Sequence, residues 1–301
     1  LDKIIYRVLP DPNTAVQAFL NKEVDVSLTR PPLAQVPVLQ KTPGARLDIY
    51  PMPNRYYVPM NMSREYFKKP EVRQALGLAI NREEVLAKAL GGVGKTAEGY
   101  YTPAIAWAYN GNLKSPPFDP KRAEQLLDAA GYQKRADGIR MRLVLPHFQG
   151  SEWGDIAAVI KENLKAVGID VQIVQLEMGA WVDRVLVKKD FDITLMAGQQ
   201  GPDPDALRMR FGTDGSLNMM SYSSAELDKV LATGASAPTR EARVAAYMKA
   251  QEILAKDQPF VPVAEMVAMV LYRDTVKGLY HMTEMKGKVP QWGFSRTWLD
   301  R

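Results

Sequence analysis

The sequence contains no cysteine and two histidines, His147 and His281. The absence of cysteine excludes disulfides, thiolate metal ligands and cysteine nucleophiles together. Two histidines that lie far apart in the chain offer little material for a histidine-rich metal site. We therefore expect neither a bound metal nor any other cofactor.

Long apolar runs and blocks of like charge are also missing. No stretch of 18 apolar residues occurs, so no membrane-spanning segment is predicted. The 39 basic and 34 acidic residues are interspersed, and the net charge of +5 includes no block of five or six like charges. This pattern argues against a nucleic-acid-binding tail, and no nucleic-acid partner is expected.

Motifs that would indicate an enzyme are scarce. There is no Gly-x-Ser-x-Gly elbow, and no dinucleotide fingerprint follows a predicted strand. Gly94-Lys95-Thr96 resembles the end of a phosphate-binding loop, but that motif requires glycine where Ala89 stands. The chain is therefore interpreted first as a binding protein rather than an enzyme, with a hydrolase acting on sugars or peptides as the alternative.

Several of the first residues are apolar, and the pattern of a secretion signal does not precede them in the given sequence. Leu1 stands first, and residues 3–8 include Ile4, Ile5, Tyr6 and Val8, without a charged region and a cleavage site before them. Residues 3–8 are predicted to form a buried strand. We expect the chain to be a fragment or a processed product.

A parallel βαβ unit is predicted in the first 30 residues. A helix begins near Asp11–Thr14, and Val24–Leu28 alternates like a strand, so strand, helix and strand follow one another closely. Two short strands, Leu47–Tyr50 and Arg55–Met60, are predicted next.

The most specific stretch is Tyr57–Ser63 followed by Lys69–Val85. The segment after Pro70 places Val72, Leu76 and Ala79 on one helical face. A second helix is predicted to begin at Asn81, with Glu84 three residues later completing a capping box.

The second half of the chain alternates between strand and helix patterns. The predicted elements are a helix capped by Asp119, a strand at 139–145, a helix at 156–167, a strand at 169–173, a helix at 181–188 and a strand at 191–196. This order predicts an α/β protein with an open, mainly parallel sheet. Helices from a capping box at Ser223 and over Arg240–Lys256 follow, then an apolar extended segment at Met266–Tyr272 and a loop-like tail containing Trp292 and Trp298.

The loop Ala197–Asp205 follows the last predicted strand of this run. Ligands of open α/β sheets lie beyond the carboxyl ends of the strands, and this loop is polar and rich in turn-forming residues. Gln199, Gln200 and Asp203 are therefore the candidate ligand-facing residues. Asp203 and Asp205 would equally suit a turn and a helix cap, so a plain strand-to-helix connection stays open.

Six short motifs occur in one order along nearly the whole chain. They are Asn13–Val26, Asn61 with Pro70–Glu83, Asp119–Tyr132, Leu164–Val171, Asp203–Asp205 and Tyr222–Asp228. Each is weak alone, but together the chain resembles the family 5 extracellular solute-binding proteins of ABC transporters, the peptide, opine and nickel class.

The resemblance implies a two-lobed, periplasmic-binding-protein-like (type II) α/β fold, with mixed, mainly parallel sheets flanked by helices. It implies a first lobe that is incomplete, because an N-terminal part is missing. Residues 1–60 would be the remnant of the first lobe, 61–260 the second lobe and 261–301 the return to the first. The hinge would lie at Tyr57–Asn61 and Phe260–Glu265, and Asn61 would face the ligand cleft.

The implied function is to capture a peptide or another small polar solute and to deliver it to a membrane permease. The protein would be a monomer, periplasmic or extracellular, either free or lipid-anchored. In peptide-binding members an acidic residue pairs with the amino terminus of the ligand, and here that position is Gln200. Glutamine cannot neutralise an ammonium group, so a peptide, an opine, a sugar and a metal chelate all stay open.

Overall fold

The computed structural model describes residues 1–199, 201, 203–279, 293, 294 and 296–300, without the side chains of 151 and 199. The chain divides into two compact units. Unit 1 comprises Leu1–Met52 and Met266–Arg301, and unit 2 comprises Pro53–Glu265. The domain limits predicted at 60/61 and 260/261, and both predicted hinge segments, fall inside unit 2.

The chain is 38% helix and 21% strand, which confirms the mixed α/β class. The helices are α1 (Pro12–Leu20), α2 (Val36–Leu39), α3 (Glu65–Lys68), α4 (Pro70–Ala79), α5 (Arg82–Lys88), α6 (Pro120–Ala129), α7 (Ser151–Ala166), α8 (Met178–Trp181), α9 (Ala206–Phe211), α10 (Ala225–Ser236) and α11 (Arg240–Asp257). The strands are β1 (Val26–Ser27), β2 (Ala45–Pro59), β3 (Lys95–Thr96), β4 (Met141–Phe148), β5 (Ile169–Leu176), β6 (Met196–Gln199), β7 (Phe260–Arg273), β8 (Val276–Lys277) and β9 (Trp298–Leu299). Strands β2 and β7 each contain residues of both units.

Unit 1 contains the predicted helix α1 but not the predicted parallel βαβ. Asp11 caps α1 by accepting a hydrogen bond from the Thr14 amide at 2.7 Å. Val16 and Phe19 on α1 pack with Leu39 and Leu271 in a small core. Strand β1 pairs antiparallel with the end of β7.

The buried strand predicted at residues 3–8 is wrong. These residues belong to no strand, and the Ile5 and Val8 side chains are 78% and 86% exposed. A strand requires a neighbour for its backbone amides and carbonyls, and the described part of unit 1 offers none to this segment. Without a first strand, the βαβ unit cannot form.

The two strands predicted at Leu47–Tyr50 and Arg55–Met60 are one strand, β2, of 15 residues. It continues through Pro51 and Pro53, although prolines usually mark a break. Each proline removes one amide donor, but its φ angle is compatible with an extended chain, so the strand persists.

In unit 2, β4 and β5 confirm the predicted parallel pairing. The two strands pair from Met141 opposite Ile169 to Phe148 opposite Leu176, and α7 connects them. The side chains at Leu143, Leu145, Ile169 and Val171 are buried. The two parallel strands and the helix that connects them form a βαβ unit, since a crossover between parallel strands needs a connection of this length.

The strand predicted at 191–196 is wrong in place and in direction. Strand β6 covers Met196–Gln199 and pairs antiparallel with β2, so it does not extend the parallel pair. Phe191, Ile193 and Leu195 are buried, and Ile193 makes one isolated bridge to Met60. An alternation of apolar residues indicates which side chains are buried, but it does not specify the strand with which the segment pairs.

The helix pair α4 and α5 is confirmed, but the capping box is only half formed. The Asn81 side chain accepts from the Glu84 amide at 3.1 Å. The Asn81 amide donates instead to Asn163 of α7 at 2.9 Å, and the Asn163 side chain donates to Glu84 at 2.7 Å. The acceptor of the Asn81 amide is therefore Asn163 of α7 rather than Glu84, which the capping box predicts. The cap of α10 is Ser224 rather than the predicted Ser223.

Among the described residues, no helix is both long and apolar enough to cross a membrane. Helix α11 is the longest of these helices, with 18 residues, and packs Tyr247 and Leu254 into the core of unit 2. The tail residues 280–292, which include His281 and Trp292, lie outside the described residues.

Candidate functional site

The first three residues of the predicted ligand loop, 197–199, belong to strand β6, and the others follow the carboxyl end of this strand. Gln199 pairs with Asn54, which is the second residue of unit 2, and Gly198 pairs with Arg55. A Cβ atom at Gly198 would lie 2.6 Å from Cζ of Arg210 and 3.0 Å from the Tyr57 hydroxyl. Glycine therefore allows β6 to approach these two side chains closely.

Asp203 lies on the surface of unit 2, where its side chain is half exposed. Its Oδ1 accepts a hydrogen bond from Arg243 Nη2 at 2.7 Å and another from the Asp205 amide at 2.9 Å. The first bond is an ion pair with α11, and the second closes a turn around Pro204. Asp203 thus forms the turn that the sequence allowed, and its other carboxylate oxygen points to no described donor.

Asp205 is held by two side chains. Arg208 donates to both carboxylate oxygens, with Nη2 to Oδ2 at 2.6 Å, and the Tyr247 hydroxyl donates to Oδ1 at 3.1 Å. The hydrogen bond from Arg208 holds the pKa of Asp205 below its ordinary value, while partial burial opposes the shift. The carboxylate therefore stays ionised and paired, and α9 begins directly after it.

Arg243 and Tyr247 are site residues that the sequence did not single out as contacts of this loop. They are four residues apart on α11, so they share one helical face, and this spacing is the signal that could have connected them. The Arg243 guanidinium also lies 5.9 Å from the ring centre of Trp107 and 5.5 Å from that of Tyr247.

Asn61 is fully buried within unit 2. Its side-chain nitrogen donates to the carbonyls of Lys189 and Phe191, each at 2.9 Å. Its Oδ1 accepts from the amide and the hydroxyl of Ser63, at 3.1 and 2.8 Å. All hydrogen-bonding groups of this side chain are satisfied by the protein, at the junction between β2 and the loop that follows it.

The remaining predicted residues are described only in part. Gln199 has its backbone in β6, and Gln200 lies outside the described residues. His147 is buried at the end of β4 with Nδ1 3.0 Å from the Phe148 carbonyl oxygen. In the part of the chain that the structure describes, no group of three histidine or acidic side chains could hold a metal ion.

Comparison with protein families gives a match over most of the chain. A model described as bacterial extracellular solute-binding proteins, family 5 middle, matches residues 1–218. The match includes the loop at Ala197–Asp205, the helix pair α4–α5 and the parallel pair β4–β5.

Curated relatives agree with this match. The chain is 29% identical over 269 residues to a peptide transport periplasmic protein, SapA, of Salmonella typhimurium, covering 86% of this chain and 48% of the relative. It is 29% identical over 275 residues to the oligopeptide-binding protein AppA of Bacillus subtilis, covering 86% and 50%. The chain thus spans about half the length of the curated relatives it matches.

Solved structures show the same fold. The periplasmic binding protein DppA from Helicobacter pylori, in complex with the peptide STSA, has 26% sequence identity and a TM-score of 0.83, covering 98% of this chain and 56% of that chain. AppA from Bacillus subtilis, in complex with a nonapeptide, has 25% identity and a TM-score of 0.81, covering 98% and 60%. From its sequence and its fold together, this chain belongs to the bacterial extracellular solute-binding proteins of family 5.

Proposed function

We propose that this protein is the solute-binding component of an ABC importer, which captures a peptide or another small polar solute and delivers it to a membrane permease. The observation that carries the proposal is the family match over residues 1–218, which includes the polar loop at the end of β6. Relatives with the same fold are named for peptide transport and oligopeptide binding. None of these findings supports the hydrolase alternative.

The proposed ligand contacts are Gln199, Gln200 and Asp203. The support is the position of the loop at a strand end and the half-exposed carboxylate of Asp203, whose Oδ2 accepts no hydrogen bond from the described residues. Asn61 is proposed as a residue that shapes the site, because its side chain is committed to internal hydrogen bonds.

The proposed location is periplasmic or extracellular, with the protein acting as a monomer, either free or lipid-anchored. The support is that the relatives named above are periplasmic or oligopeptide-binding proteins. Palmitate labelling of the protein in its native cells distinguishes the anchored form from the free form.

The first experiment is native mass spectrometry of the protein as purified, followed by calorimetric titration with the peptide STSA, which is the ligand of the DppA structure. We expect a retained solute or saturable binding of STSA. A protein that carries no solute, and binds neither STSA nor N-acetylated STSA, would contradict the proposal. Because Gln200 carries no charge, we expect acetylation of the peptide to change its affinity little.

The second experiment exchanges Gln200→Ala, with the exposed Gln172→Ala on β5 as the matched control. Loss of one neutral hydrogen bond to the ligand is expected to weaken STSA binding by roughly fivefold to tenfold. An affinity that is the same in Gln200→Ala, Gln172→Ala and the unchanged protein would exclude Gln200 from the contacts.

A further inference from the structure

We propose that Arg243 and Tyr247 of α11 are positioning residues, which clamp the Asp203–Asp205 turn so that Asp203 of the predicted ligand loop is held in position for the ligand. The inference rests on the proposed function, because it assumes that this loop binds the solute. It adds two residues on a helix that lies more than thirty positions farther along the chain.

The clamp acts at both ends of Pro204. Arg243 Nη2 donates to Asp203 Oδ1 at 2.7 Å, and the Tyr247 hydroxyl donates to Asp205 Oδ1 at 3.1 Å. The Asp205 amide donates to the same Asp203 oxygen at 2.9 Å. Oδ1 of Asp203 therefore accepts both the hydrogen bond from Arg243 and the one that closes the turn, and no donor to Oδ2 is found among the described residues.

Tyr247 is a rigid anchor for this clamp. Its side chain is fully buried, and its ring lies so close to α10 that a Cβ atom at Gly234 would be 2.9 Å from its Cζ. Its backbone carbonyl accepts a hydrogen bond from Gln251 at 2.9 Å. A phenol held in this way has few other rotamers, so its hydroxyl is fixed where Asp205 meets it.

Arg243 is also oriented by contacts other than its ion pair with Asp203. Its Nε lies 3.3 Å from the Gly234 carbonyl oxygen, to which it donates, and its guanidinium lies beside the rings of Trp107 and Tyr247. A planar guanidinium that is already oriented loses little freedom when it forms an ion pair. Asp203 and Asp205 are consequently held in position before the ligand arrives, which lowers the entropy that binding must overcome.

The test uses the whole 301-residue chain and three variants. Tyr247→Phe removes the hydroxyl but keeps the buried ring, and Arg243→Met removes the charge but keeps an apolar stem. Lys249→Met is the control, because Lys249 lies on the same helix in an exposed pair with Glu252 at 3.2 Å. Arg243→Lys is the conservative variant that keeps the charge.

The first measurement is amide hydrogen exchange of Asp205 and Ala206 without ligand. We expect exchange to be faster by about fivefold or more in Tyr247→Phe and Arg243→Met, unchanged in Lys249→Met, and restored in part by Arg243→Lys. Unchanged exchange in both clamp variants would overturn the proposal.

The second measurement is the affinity for STSA, with its association and dissociation rates. We expect the Kd to rise by about fivefold in both clamp variants, with Lys249→Met unchanged. Faster exchange with an unchanged Kd would also overturn the proposal, because the clamp would then be a structural contact alone. If the unchanged protein does not bind STSA, that result counts against the proposed function, while the exchange result alone decides the clamp.

Discussion

The guanidinium of Arg55 on β2 forms a buried ion pair with the carboxylate of Glu265 on β7, 210 residues away in the chain. Arg55 also donates to the carbonyls of Gly99 at 2.9 Å and Tyr101 at 2.8 Å, and Thr102 donates to Glu265 at 3.1 Å. The Arg55 side chain is fully buried, so these partners replace its water. The ion pair thus connects β2, on which the chain enters unit 2, with β7, on which it leaves unit 2.

Glu265→Gln is expected to destabilise unit 2 by about 3 kcal/mol, because the charge of Arg55 would stay buried without a counter-charge. The carbonyl oxygens of Gly99 and Tyr101 still accept hydrogen bonds from Arg55, so the loss in the free energy of unfolding lies at the lower end of the range for broken buried ion pairs. The free energy of unfolding in urea measures it. Glu65→Gln, which removes an exposed ion pair with Lys68, is the control and should change little. Equal stability of the two variants would show that the buried pair contributes no more than an exposed one.

Asp205 gives the protein a specific sensitivity to acid. Arg208 holds the pKa of Asp205 below 3.8, so the carboxylate contributes stability that is fully present above pH 3.8 and is lost as the pH falls through the lowered folded-state pKa. Since the Arg208 side chain is 57% exposed and water screens the ion pair, the contribution is below about 1 kcal/mol. Urea unfolding at neutral pH and below pH 3.8 should show a smaller acid loss for Asp205→Asn than for the unchanged protein. Parallel pH profiles would contradict this assignment.

Gly234→Ala is expected to destabilise the protein, although alanine usually strengthens a helix. The added Cβ would lie 2.9 Å from the Tyr247 ring, and such overpacking costs about 1–3 kcal/mol, which exceeds the gain of about 1 kcal/mol in helix propensity. Thermal unfolding measures the difference. Gly179→Ala is the matched control in α8, where no described atom lies within 4 Å of the added Cβ, and it should be neutral or stabilising. A stabilised Gly234→Ala would mean that α10 and α11 separate at little cost.

Asn61→Ala distinguishes a shaping role from a ligand contact. The substitution leaves the partly buried carbonyl of Lys189 without the Asn61 donor, whereas the Phe191 carbonyl still accepts from Arg64 Nε at 3.1 Å, so the cost is about 1–3 kcal/mol in total. We therefore expect a clear loss in the free energy of unfolding, measured in urea. A variant with unchanged stability but weaker STSA binding would instead support the ligand-facing role predicted from the sequence.

Local signals in the sequence predicted the helices of unit 2 well. Asp119 and Asn81 cap the helices expected of them, and the short helix after Asp205 begins where the turn residues indicated. Capping depends on residues within one turn of each other, so it is visible in sequence. The loop predicted at 197–205 is wrong in its first three residues, because residues 197–199 belong to β6.

The contacts that shape the candidate site could not be predicted in the same way. Arg243 contacts Asp203 across 40 residues, and outside the site Asn163 contacts Glu84 across 79 residues in the cap of α5. No periodicity connects such positions, because the partners are brought together by the packing of whole helices. The antiparallel pairing of β6 with β2 was missed for the same reason, since an apolar strand pattern carries no information about its neighbour.

The α/β class, the helix ends that caps and turns mark, and the family indicated by six ordered motifs can all be inferred from the sequence. Those features depend on neighbouring residues or on motif order, which a single chain displays directly. The folded structure is needed to show that residues 3–8 form no strand, that Asn61 is buried, and that Asp203 and Asp205 are held by α11. Burial and long-range pairing depend on which surfaces pack together in the folded chain. Their free energy comes from contacts between distant segments, which local sequence patterns do not specify.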